Sequence, residues 1–191
     1  STRCSAARAG CRLRSRSVGA LVAVTGKGPR LQMDYNGGLF AQQEAQVVLG
    51  EIGAAELPED AAYLVIRVSE LSPIQRLRAW VESGNGELHS LRLSRAFDSS
   101  AISRLRDVMY RPGVGTWFSA VLRVDRSGSV DGEFNYDEEP EWAAPVDPIA
   151  YLTDFEKYPR DIENQPEWLR IKLTEGNERR NARSLSLIHI S

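Results

Sequence analysis

Between residues 117 and 136 the chain alternates apolar and polar side chains with a period of two. Leu122 and Val124 alternate with Arg123 and Asp125, and Val130, Gly132, Phe134 and Tyr136 then recur at every second position. A strand with one wet face requires that alternation. Asp125-Arg126-Ser127-Gly128-Ser129 lies between the two runs and is turn chemistry, since glycine accepts positive φ and Asp or Ser bonds nearby backbone. An antiparallel hairpin is predicted here. Three strand-like runs come earlier, at 63–68, 76–81 and 87–93, the last two joined by Ser83-Gly84-Asn85-Gly86. Leu77, Ala79 and Val81 alternate with Arg76, Arg78 and Trp80, so one face is expected to be buried. Arg76, Arg78, Arg92 and Arg95 are expected to point outward.

Helical spacing governs the remaining segments. From Gly38 to about Ala55, the residues Phe40, Val47, Val48 and Ile52 form a stripe expected to face the core, and Gly50 and Gly53 weaken the end of that helix. Asp98-Ser99-Ser100 is a capping cluster for a second helix with Ile102, Leu105, Val108 and Met109 on one side. Asp147-Pro148 pairs a cap with proline at the first helical position, followed by the stripe Ile149, Leu152 and Phe155. Gln165-Pro166-Glu167-Trp168 opens a last short helix. The order helix, three strands, helix, two strands, helical turns predicts an α+β domain over residues 33–173, with a single antiparallel sheet of about five strands packed by helices.

Charge divides the chain more sharply than its net value of −2 suggests. Residues 1–32 carry seven basic side chains and no acid, whereas residues 33–176 carry 25 acids against 14 bases, a balance of −11. Within 131–163 there are eleven Asp or Glu against Lys157 and Arg160. The densest part is Tyr136-Asp137-Glu138-Glu139-Pro140-Glu141-Trp142, four carboxylates between two aromatics at the end of the hairpin. Like charges this close repel. The segment reads either as a solvated loop or as a docking surface for a basic partner. Tyr136 and Trp142 read equally as interface anchors or as core residues.

A series of residues resembles a known family. The strand with Trp117, the ending Phe134-Asn135-Tyr136-Asp137, then Asp147-Pro148, Tyr158-Pro159-Arg160 and Pro166-Glu167-Trp168 together resemble the YezG-like immunity proteins, antitoxins of bacterial polymorphic toxin systems. The resemblance is best over 115–168 and extends as an order of elements back to about Met33. It implies a cytoplasmic, non-catalytic protein that binds and neutralises a cognate toxin, a nuclease being the common case. It also implies that Tyr136, Asp137, Glu138, Glu139, Glu141 and Trp142 face that toxin. The rival reading is a non-catalytic acidic scaffold or regulatory domain with no toxin partner.

Other chemistry is sparse. His89 is the only histidine between residues 33 and 176 and reads as a structural residue of its strand. Cys4 and Cys11 both lie in the basic arm, so the body has no thiol nucleophile and few zinc ligands. Phosphate-loop, nucleophile-elbow and dinucleotide-binding motifs do not occur, and no cofactor is expected. Asp137, Glu138 and Glu139 are the plentiful carboxylates, but they lack the fixed separation of a glycosidase pair and the ligand spacing of a calcium loop. No apolar run approaches the length of a membrane span. The arm at 1–32 lacks the interleaved aromatics that stack on nucleic-acid bases and a convincing leader cleavage site. It is expected to be disordered and non-native, with Met33 as the start, and no direct nucleic-acid contact is expected. The stretch 174–191 is expected to be a disordered tail resembling translated adapter sequence.

Overall fold

The computed structural model describes residues 38–188, with side chains through 185. The arm expected at 1–32 lies outside the described residues. Helix α1 (Leu39–Ala54) is followed by strands β1 (Ala61–Leu71), β2 (Ile74–Ser83) and β3 (Leu88–Leu91), then helix α2 (Ser100–Val108). Strands β4 (Ser119–Asp125) and β5 (Val130–Asn135) come next, then helices α3 (Pro148–Lys157) and α4 (Glu167–Ile188). The strands form one sheet in the order β3-β2-β1-β4-β5, antiparallel throughout. This is the α+β architecture that the alternation predicted. No helix among the described residues is long and apolar enough to cross a membrane.

The period of two places the core. Leu64, Ile66 and Val68 of β1, Ala79 of β2, and Ala120, Leu122 and Val124 of β4 are buried on one face, against Leu49 of α1 and Ile102 and Leu105 of α2. A second cluster closes the end of the sheet where β1 turns into β2. There Leu71 and Phe118 pack with Ala150, Tyr151 and Leu152 of α3 and Leu169 and Leu173 of α4. On the opposite face of the sheet Tyr63 and Arg67 of β1, Arg78 of β2 and Glu133 of β5 are exposed, while Val65 between them is buried.

Helix α1 does not bury its expected stripe. Phe40 is 86% exposed and Val47 56%, while Ala45, Leu49, Gly50 and Gly53 face inward. The reason is close approach. A Cβ at Gly50 would sit 1.9 Å from the carbonyl oxygen of Gly128, and one at Gly53 would sit 3.0 Å from the Val124 side chain. The two glycines that weaken the helix in isolation are its seat on the β4–β5 hairpin. In that hairpin Gly128 takes φ 80°, and Oδ1 of Asp125 accepts from the amides of Ser127 at 2.8 Å and Ser129 at 2.9 Å.

Two further expectations are corrected. In α3, of the stripe Ile149, Leu152 and Phe155 only Leu152 is buried, together with Ala150, Tyr151 and Asp154. The last helix is not short: α4 runs unbroken to Ile188, so residues 174–188 are helical where a disordered tail was expected. That stretch packs along α3. Gly176 lies so close to the Pro148 carbonyl that a Cβ would come within 2.7 Å, and Arg179 and Arg183 reach Asp147 at 3.3 and 2.8 Å.

Where the two core clusters meet, a charge is enclosed. Arg106 of α2 has no solvent exposure. Its Nη1 and Nη2 donate to the two carboxylate oxygens of Asp154 at 2.7 and 2.9 Å, and its Nε donates to the Trp117 carbonyl at 2.7 Å. The guanidinium lies 4.6 Å from the Tyr158 ring centroid, and Oδ1 of Asp154 also accepts from the Ser72 amide at 2.6 Å. Burial opposes the charge, but the Asp154 carboxylate outweighs it and holds the Arg106 pKa above its ordinary value. The neighbouring Tyr158 hydroxyl, buried and donating to Asp107, has its pKa pushed up to about 12.

Removing one member leaves an uncompensated buried charge, so Asp154→Ala is expected to lower unfolding free energy by about 3–5 kcal/mol, read by urea denaturation. Replacing both members, as in Arg106→Met/Asp154→Leu, is expected to recover most of that loss. A second outcome concerns acid. The Ser127 hydroxyl and the amides at the hairpin turn hold the Asp125 pKa below its ordinary 3.8. The stability this carboxylate confers is therefore complete above pH 3.8 and is lost as the pH falls through the depressed value. Asp125→Asn is expected to flatten the acid limb of a thermal-midpoint profile in that range.

Candidate functional site

The acidic segment after β5 is built as a fixed ledge. Asn135 clips its start: Oδ1 accepts from the amides of Asp137 at 3.1 Å and Glu138 at 2.9 Å, while Nδ2 donates to the Glu138 carbonyl at 2.9 Å and to Ser119 Oγ at 3.0 Å. An asparagine at this position supplies both acceptor and donors, which an aspartate lacks. The Trp168 indole N–H donates to the Asp137 carbonyl at 2.6 Å, and the Ser69 hydroxyl to the Glu141 carbonyl at 3.1 Å.

Arg160 secures the base of the ledge from below. It is buried, and its guanidinium donates to the carbonyls of Tyr136 at 3.0 Å, Asn164 at 3.3 Å and Thr116, while lying 4.4 Å from the Phe118 ring centroid. Burial depresses its pKa, against the pull of the Asp137 carboxylate. Gly115, at φ 89°, leaves the room this side chain needs, since a Cβ there would meet Nε at 2.3 Å.

The middle of the segment is held by side chains. The Tyr151 hydroxyl donates to Glu139 at 3.1 Å and accepts from the Trp142 indole N–H at 3.0 Å, and Lys172 lies 3.8 Å from the same carboxylate. Burial, then the adjacent Glu139 charge, pushes the Tyr151 pKa well above the ordinary phenol value. Pro140, within the segment, is buried.

The six residues singled out from the sequence therefore separate into groups. Asp137, Glu138, Glu139 and Glu141 are all exposed. Glu138, Glu139 and Glu141 line an open groove of about 440 Å³ on the uncovered face of the sheet, together with Ser69, Val121 and Asn135. Asp137 points elsewhere, into a hollow of about 260 Å³ beside Arg160 and Glu163. Tyr136 and Trp142 are half-buried, the first packed on the main core and the second on the cluster around Tyr151. Glu139 differs from its neighbours because its carboxylate is tied to Tyr151 and Lys172. Among the described residues the carboxylates of Glu138 and Glu141 make no hydrogen bond or ion pair.

Two charged residues of the groove escaped the sequence reading. Glu133 lines it from β5, and Arg67 lines it from β1. The signal for Glu133 was present in the alternation, since Phe134 turns to the core and its neighbours turn away. His89 is not a structural residue: it is exposed on the edge strand β3, 3.9 Å from Glu87. Among the described residues no group of three His, Cys, Asp or Glu is placed to hold a metal ion.

Asn135→Ala removes the clip, and the expected loss is about 1–3 kcal/mol in urea denaturation, with faster hydrogen exchange at the Asp137 and Glu138 amides than in the parent protein. No protein-family model and no curated protein matches the chain, so its functional reading rests on the sequence series and on this geometry.

Proposed function

We propose that this chain is an immunity protein of the YezG-like kind, a cytoplasmic, non-catalytic binder that neutralises a cognate toxin by presenting its acidic ledge to a cationic surface. The observation that carries the reading is a convergence. Residues of the series that resembles the family serve the ledge: Asn135 clips it, Arg160 holds the Tyr136 carbonyl, and Trp168 holds the Asp137 carbonyl. A solvated loop needs no such scaffold. A backbone fixed before encounter loses less conformational entropy on binding, and a matched field speeds association and selects the partner. A nuclease groove, cationic because it holds phosphates, is the natural counterpart.

Tyr136 and Trp142 contribute from beneath, by anchoring the ledge. Their half-exposed rings add apolar contact at its two ends. The carboxylates that meet the partner are those free of internal work, Glu138 and Glu141, with Asp137 on the adjoining side.

The test is co-expression with the toxin encoded beside the gene. Asp137→Asn/Glu138→Lys/Glu141→Lys is expected to abolish protection while shifting the thermal midpoint by no more than about 2 °C, because these side chains are exposed and no new cation is set beside Arg160. Glu139 is left intact to preserve the bonds to Tyr151 and Lys172. Full protection by a folded triple variant removes the ledge from the mechanism.

A further inference from the structure

The uncovered face of the sheet carries a second charged cluster. Arg67 on β1 stands directly opposite Arg78 on β2, and Arg76, opposite Ser69, lies two positions along the same face. These three arginines line one small hollow with Ser69 and Glu141. Like charges in direct cross-strand opposition destabilise a sheet. Elsewhere on this face the chain solves the problem internally. Arg123 donates to both oxygens of Glu82 at 2.8 Å and lies 4.2 Å from the Tyr63 ring centroid. Arg67, Arg76 and Arg78 have no ion pair or side-chain hydrogen bond among the described residues, and Arg67 has only the Trp80 ring, at 5.7 Å.

The two charge fields adjoin. Arg67 and Glu141 line both the arginine hollow and the acidic groove. A partner seated on the ledge therefore meets both signs within one contact surface. We infer that the docking surface is bipolar: the partner that brings cationic groups to Glu138 and Glu141 also brings carboxylates to Arg67, Arg76 and Arg78. This inference rests on the reading of the chain as an immunity protein and specifies the chemistry of its partner. Arginine suits the task, because its planar fork matches a carboxylate with two parallel bonds. A metal-dependent phosphodiesterase centre has the complementary make-up, with cations for phosphates beside carboxylates that hold a metal ion. Glu138 and Glu141 then stand where phosphates bind, and the guanidinium groups stand where the metal binds.

Arg78→Glu separates a binding role from a structural one, because it sets an opposite charge against Arg67. The expected result is a thermal midpoint equal to or above that of the parent. Affinity for the purified, catalytically inactivated toxin domain of the neighbouring gene is expected to fall about tenfold by calorimetry. A lowered midpoint means that the arginines serve the sheet, and overturns the inference. Unchanged affinity in Arg78→Glu, with binding lost in the triple ledge variant, also overturns it and leaves the immunity reading standing. Loss confined to Arg78→Glu overturns the two-signed surface together with the acidic ledge. Binding unchanged by either variant overturns both proposals.

Discussion

The enclosed pair of Arg106 and Asp154 is the constraint on which the rest of the structure depends. Four separate pieces of chain converge on it: α2 supplies the arginine, α3 the carboxylate, the entry to β4 the Trp117 carbonyl, and the β1–β2 turn the Ser72 amide. The two apolar clusters on either side would otherwise be free to slide past one another, since hydrophobic burial is non-directional. A bidentate bond is directional, and it fixes α3 against the sheet. The placement of α3 and α4 then follows, and with it the position of Tyr151, Lys172 and Trp168 under the acidic ledge. The pair contributes little net stability relative to a well-packed apolar replacement. What it adds is direction, since the paired bonds hold α2 and α3 in one relative placement.

The strands were legible because alternation marked β2, β4 and β5 and composition marked β1, while the turn residues between paired runs pointed to antiparallel pairing. Helix α1 was legible too, but its buried face was not, because two glycines help set that face beside Ala45 and Leu49. Glycines at 50 and 53 allow a backbone-to-backbone approach that no count of apolar residues detects, while Phe40 and Val47, the loudest hydrophobic signals, are left outside. Arg106 was invisible for a related reason: in sequence it is one more arginine on a helix. Only the fold reveals that Asp154, 48 residues away, lies against it. The length of α4 was missed because its outer half gains its partners from elsewhere, Glu156 in α3 and Asp147 at the cap of α3.

The site was legible in part. The density of carboxylates marked the segment, and all four are exposed. What composition does not encode is the division of labour among them: Glu139 spends its charge on Tyr151 and Lys172, and Asp137 faces a different hollow from the other three. Nor does composition show that a stretch rich in repelling charges is tethered along its length. Its backbone groups are bonded by Asn135, Ser69, Arg160 and Trp168, so the repulsion is met by local hydrogen bonds and not by mobility.

The two borders of the sheet differ in a way that bears on solubility. At one border β3 spans only four residues, Leu88–Leu91, too short a template for another chain to extend. At the other, β5 spans six residues and pairs on one side only among the described residues, and here Asp131 and Glu133 lie along it. An incoming copy of the same strand would have to lay its own acids alongside them. The negative charge beside this strand thus also keeps the molecule from growing into a ribbon with its neighbours, a protection that persists whether or not any partner is bound.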